Sequence, residues 1–143
     1  YTSRSPRAGV PYAYHPDPVS LAAAVDFLVV ITPGGAATKG LIDARVLQAL
    51  GPDGYLVNVA RGSVVDEAAL IDALRHGTIA GAGLDVFANE PNVPEALRTL
   101  PNVVLTPHIG SGTKQTREAM GPLTFDNLHA HFTGRPLLTP VDA

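Results

Sequence analysis

Three side chains carry most of the chemistry this sequence offers: Arg61, Glu90 and His108, each in a loop that follows an apolar run. An arginine clamps a carboxylate through two parallel hydrogen bonds and stays charged at any physiological pH. An imidazole exchanges a proton near neutrality, and a carboxylate bonded to one of its nitrogens fixes the tautomer and leaves the other nitrogen to donate. Together the three suit redox or acid/base chemistry on a small organic acid. On residue type and spacing alone a plainer reading stands equal to this one. In it Arg61 solvates its loop, Glu90 caps the turn before Pro91, and His108 is a partly buried loop histidine.

The elements that would bring these loops to one rim follow from periodicity. Apolar runs at 27–31, 55–59, 80–86 and 103–105 read as strands buried on both faces, the pattern of a parallel sheet. The best helix spans 66–76, with Asp66 and Glu67 at its positive end, Leu70, Ile71 and Leu74 on one face, and Gly77 placed to close it. Weaker helices at 19–25, 43–50 and 94–100 complete an alternation of strand and helix, which implies right-handed βαβ units. In such sheets ligands bind beyond the carboxyl ends of the strands. The segments there are polar or glycine-bearing: Thr32-Pro33-Gly34-Gly35, Ala60-Arg61-Gly62, Asn89-Glu90-Pro91 and Thr106-Pro107-His108-Ile109-Gly110. A longer, more polar helix at 114–132 precedes a proline-bearing tail and is expected to dock outside the sheet. On it Met120, Phe125, Leu128 and Phe132 recur at near-helical spacing and read as packing residues, and His129 and His131 as solvated rather than metal ligands.

Composition excludes several classes. The 143 residues are 45% hydrophobic and 16% charged with net charge -3, an ordinary globular balance without a basic footprint for nucleic acid. Without cysteine there is no disulfide framework, no Cys-ligated zinc, no iron–sulfur cluster and no thiol nucleophile, and a reducing cytoplasm is compatible. The longest apolar run, 27–31, falls far short of the ~20 residues that span a bilayer. A small-molecule ligand is the better default, with no metal, nucleic acid or membrane partner expected. The chain starts at Tyr1 with no signal pattern before it, which reads as a fragment or a processed chain.

Several long motifs occur in order: Asp26-Phe27-Leu28-Val29-Val30-Ile31-Thr32-Pro33, the stretch from Tyr55 through Asn58-Val59-Ala60-Arg61-Gly62 to Asp66-Glu67, Gly81-Ala82-Gly83-Leu84-Asp85-Val86-Phe87 with Glu90-Pro91, and Pro107-His108-Ile109-Gly110-Ser111. With these the sequence resembles the D-isomer-specific 2-hydroxyacid dehydrogenase family, in its nucleotide-binding domain, over nearly the whole chain. The resemblance implies an α/β fold, a Rossmann-type doubly wound parallel sheet. The family's G-x-G-x-x-G fingerprint and first strand are missing and are expected upstream of Tyr1, with 1–112 as a partial dinucleotide-binding domain and 113–143 docking on an absent substrate domain. The lost strand would lie beside 27–31, leaving an apolar edge there.

Roles carry over residue by residue. Arg61 matches the arginine that holds the substrate carboxylate, His108 the acid/base histidine, Glu90 its carboxylate partner and Asp85 the aspartate near the nicotinamide. Thr32, Pro33, Val59 and Gly110 match positions that line the cofactor, which Arg61 and His108 also border. Glu90 separates the chain from the formate dehydrogenase branch, which places a glutamine there. Ser3-Arg4-Ser5 takes the place where NAD enzymes keep an acidic group, so NADP is expected over NAD, with Arg7 assisting. The implied activity is reduction of a 2-keto acid such as glyoxylate or hydroxypyruvate, in a cytoplasmic homodimer. The alternative is a non-catalytic cofactor-sensing or partner-binding module of the same family. Alone, the 143 residues are expected neither to hold cofactor tightly nor to turn over.

Overall fold

The structure, a computed structural model, describes residues 1–141. It divides into two units, Tyr1–His108 and the segment from Ile109 onward. The first alternates strand and helix in the order α1 (Pro18–Ala22), β1 (Phe27–Val30), α2 (Ala44–Leu50), β2 (Tyr55–Asn58), α3 (Glu67–Arg75), β3 (Gly81–Leu84), α4 (Glu95–Arg98) and β4 (Val103–Leu105). All four strands are parallel and lie in chain order, β1-β2-β3-β4.

The starts of α1, α2 and α3 are fixed by side-chain caps that satisfy amides the helix cannot. The Asp17 carboxylate accepts from the Ser20 amide, Asp43 from Arg45 and Val46, and Asp66 from Ala69. Asp66 thus stands one residue ahead of α3, and the helix closes at His76, close to the expected 66–76. The strand at 103–105 and the helix at 114–132 have the expected bounds, and the other elements fall within a few residues of expectation but run shorter. Two 3-10 turns, Ala36–Thr38 and Gly62–Val64, had no signature in the sequence.

One expectation fails. The sheet is covered fully on one face only: Leu28, Val30, Leu56, Asn58, Ala82 and Leu84 pack under the helices, whereas on the other face Phe27, Val29, Tyr55 and Val104 are exposed, Val57 and Gly83 half-buried and Gly81 alone of the named strand residues buried. The reason is topological. Right-handed crossovers between strands laid down consecutively place every connecting helix on the same side. Accordingly α1 touches α2 and α2 touches α3, and Val46, Leu47, Leu70, Leu74, Ile79 and Leu97 form one core with the inward strand residues. β1 is an edge strand, as the family pattern implied, and Phe27 stacks on Tyr55 across the bare face at 5.3 Å between ring centroids.

In the second unit α5 (Lys114–Phe132) carries Pro122 inside it, and its tail folds back onto it. The Asn127 amide oxygen accepts from the Leu138 and Thr139 amides while its nitrogen donates to the Thr139 hydroxyl. Met120, Phe125, Leu128 and Phe132 are all exposed in this chain. Tail residues Leu137 and Val141 share a groove with Leu123 and Leu128 of the helix. His129 is exposed, as expected, and its ring stacks on Phe125 at 6.2 Å between centroids.

Candidate functional site

The polar rim grows from the carboxyl ends of the parallel strands. After β1 and β2 the chain forms a cleft of ≈ 590 Å³ whose walls include Thr32, Pro33, Val59 and Arg61. Two close approaches shape it. Arg61 lays its stem against Gly34, where an added Cβ would come within 2.8 Å of Arg61 Cγ. On the other side of Arg61, a Cβ on Gly62 would fall 1.9 Å from the Phe87 carbonyl carbon. No side chain fits there, so the Arg61 loop and the loop after β3 are backbone against backbone.

Asn58 ends β2 and is 1% exposed. Its Nδ2 donates to the Arg61 carbonyl at 3.1 Å and its Oδ1 accepts from the Ala60 amide at 3.0 Å. A buried amide with unmet hydrogen bonds would cost about 1–3 kcal/mol, so these two bonds hold both Asn58 and the loop in place. The Arg61 guanidinium donates to the Ala60 carbonyl at 2.6 Å, and the side chain as a whole is exposed. Asn58 is a site-shaping residue that sequence reasoning overlooked. Its signal was an amide closing an apolar strand just before Ala-Arg-Gly.

The loop after β3 holds Glu90, whose two oxygens have separate tasks. Oε1 accepts from the Phe87 amide at 3.0 Å, and Oε2 meets His108 Nδ1 at 2.7 Å. The hydrogen bond to His108, then that from the Phe87 amide, hold the Glu90 carboxyl below its ordinary value, with the charges of His108 and Arg61 adding to this. Glu90 is therefore ionised at neutral pH and accepts only, so the proton on that bond belongs to His108 Nδ1. Nε2 is left as the reactive nitrogen. His108 itself sits at φ 54°, in the left-handed region, a conformation that costs a non-glycine residue about 1 kcal/mol or more and marks it as held for a purpose.

Asp85, at the end of β3, is 7% exposed and accepts a 2.5 Å hydrogen bond from the Thr106 hydroxyl. Thus Thr32, Pro33, Val59 and Arg61 share one cleft, Glu90 and His108 are directly bonded, and the Arg61 charge reaches Glu90. Ser3, Arg4 and Ser5 do not join the cleft. They lie in an N-terminal segment bridged from Thr2 to His15, with the Ser3 hydroxyl donating to the Ser5 carbonyl at 2.6 Å. The Arg4 guanidinium has no ion pair among the described residues. Gly110 belongs to the second unit. The arrangement can bind an anion at Arg61 and move a proton at His108.

Comparison with known proteins points the same way. The model of the D-isomer specific 2-hydroxyacid dehydrogenase NAD binding domain matches residues 2–110. Hydroxyphenylpyruvate reductase of Plectranthus scutellarioides and glyoxylate/hydroxypyruvate reductase A of Arabidopsis thaliana are each 52% identical over 141 residues, 99% of this chain. The chain spans 45% of the length of either plant protein. Among solved structures, the NADPH-dependent glyoxylate/hydroxypyruvate reductase of Sinorhizobium meliloti, in complex with NADP and malonate, superposes with a TM-score of 0.95 at 59% identity. That match covers 99% of this chain and 44% of the bacterial one.

Proposed function

This chain belongs to the D-isomer specific 2-hydroxyacid dehydrogenase family, and from that premise we propose that it supplies the nucleotide-binding and acid/base half of an NADP-dependent reductase of small 2-keto acids. The observation that carries the reading is the Glu90–His108 bond, 2.7 Å long, on a carboxylate whose other oxygen is already occupied. Residues 1–112 are the partial dinucleotide-binding domain in this reading, and 113–143, of which 142 and 143 lie outside the described residues, dock on a substrate domain.

The residues present suit the cofactor's nicotinamide end. The cleft lies beyond the carboxyl ends of parallel strands, where dinucleotides bind, and Gly34 lets the Arg61 stem lie close against its wall. Thr32, Pro33 and Val59 would wall the cofactor, and Asp85, ordered by Thr106, would face its carboxamide. Arg4, with Ser3 and Ser5, would take a 2′-phosphate, a role consistent with a guanidinium that has no ion pair among the described residues. When bound, NADPH supplies the hydride to C2 of the keto acid.

The chain's own residues do the rest. Arg61 clamps the substrate carboxylate and fixes which carbonyl face is presented. His108 donates a proton from Nε2 to the carbonyl oxygen as charge builds there, and Glu90 stabilises the imidazolium from which that proton leaves. The Arg61 charge, which reaches Glu90, adds to the stabilisation of the same developing charge. Glyoxylate and hydroxypyruvate, the substrates named for two of the relatives, satisfy the Arg61 clamp. We place the enzyme in the cytoplasm as a homodimer.

The test is reduction of glyoxylate and hydroxypyruvate by the protein at the length of its relatives, with NADPH against NADH. NADPH is expected to be preferred, and His108→Asn to lower kcat by about 100-fold or more. A protein that reduces neither acid, or one that His108→Asn leaves unchanged, overturns the reading in favour of a cofactor-sensing module.

A further inference from the structure

We propose that Glu67 is a positioning residue for the Glu90–His108 pair, acting through the backbone amide of Ala88. Glu67 opens α3, and its Oε2 accepts from the Ala88 amide at 3.2 Å across 21 residues of sequence. The neighbouring amide, that of Phe87, goes to Glu90 at 3.0 Å, and the other Glu90 oxygen goes to His108. Two consecutive amides are thus held by two different carboxylates, one from the helix and one from the site. Only Asn89 separates Ala88 from Glu90, so a displacement at Ala88 is passed to the carboxylate that holds the imidazole.

The anchor is buried where the loop is exposed. α3 is fixed in the core by Leu70, Ala73 and Leu74, all buried, whereas Ala88, Asn89 and Glu90 are exposed. The same Phe87–Ala88 peptide rests against Gly62, next to Arg61. Glu67 therefore ties the proton-transfer loop to the element that follows the carboxylate-binding loop, and the spacing between the two is set by one helix.

A competing role for Glu67 is charge alone, since an acidic residue in a first helical turn is favourable there. The two roles separate by substitution. Glu67→Gln removes the charge but keeps an oxygen that accepts from Ala88, whereas Glu67→Ala keeps neither, so the two variants are compared. In the 143-residue chain, Glu67→Ala is expected to speed hydrogen exchange at the Ala88 amide by about tenfold and to broaden the His108 Nδ1 proton signal, with Glu67→Gln close to wild type. In the protein at the length of its relatives, Glu67→Ala is expected to lower kcat about tenfold with KM for the keto acid within about twofold, and Glu67→Gln to stay near wild type.

Equal losses in both variants, or an unchanged Ala88 amide and His108 signal in Glu67→Ala, overturn the proposal. The kinetic arm rests on the reductase reading, whereas the exchange and proton signals do not. A wild-type protein without reductase activity that still shows the expected signals would sink that reading and leave the role of Glu67 standing.

Discussion

At the scale of single residues, the Glu90 carboxylate is the hub of the site, because it spends one oxygen on backbone and one on imidazole. Its carboxyl is held below the ordinary value of 4.5, chiefly by the bond to His108 and next by the Phe87 amide. A group whose folded value is depressed stabilises the fold above its unfolded value and loses that contribution as pH falls through the folded one. Stability is therefore expected to fall below about pH 4.5, by no more than about 1 kcal/mol for this half-exposed pair. Glu90→Gln should flatten that part of the curve, as read by denaturant midpoints between about pH 6 and pH 3. An unchanged slope would show that the bond contributes nothing to stability.

At the scale of elements, the β2–α3 turn and the loop after β3 form one body because Gly62 carries no side chain. Gly62→Ala puts a Cβ into the Phe87 carbonyl and forces the two loops apart, an overpacking that costs about 2 kcal/mol. The chain's urea midpoint should drop accordingly with an unchanged slope, and in the protein at the length of its relatives activity should fall further than stability because Arg61 and Glu90 are moved apart. What the sequence made legible follows the same division. Strands and helices were readable because apolar runs, acidic residues at a helix start and closing glycines are local signals, and Arg61, Glu90 and His108 because chemistry-bearing residues stood after strands. Asn58 and Glu67 were not, since each acts on a backbone group: Asn58 on the amide and carbonyl of its own loop, Glu67 on an amide 21 residues away. The 3-10 turn at Gly62–Val64 escaped for a related reason, because the contact that demands glycine there is tertiary.

At the scale of the whole molecule, the sheet is finished on one side and bare on the other. An apolar run such as 27–31 says that a strand is to be covered, yet not by what, which is why burial on both faces was the natural expectation and half of it failed. The isolated chain should associate as its concentration rises, through the bare face and the open edge of β1. Sedimentation of the 143-residue chain is expected to show this, and a Val29→Lys, Val104→Lys double variant to suppress it without unfolding; a monodisperse wild type would refute it. The uncovered face also means that the usual spectroscopic sign of a loosened protein would mislead. A dye that brightens on apolar surface should bind this chain strongly while the amides under its helices still exchange slowly. A chain with fixed packing would then pass, by fluorescence alone, for a molten globule.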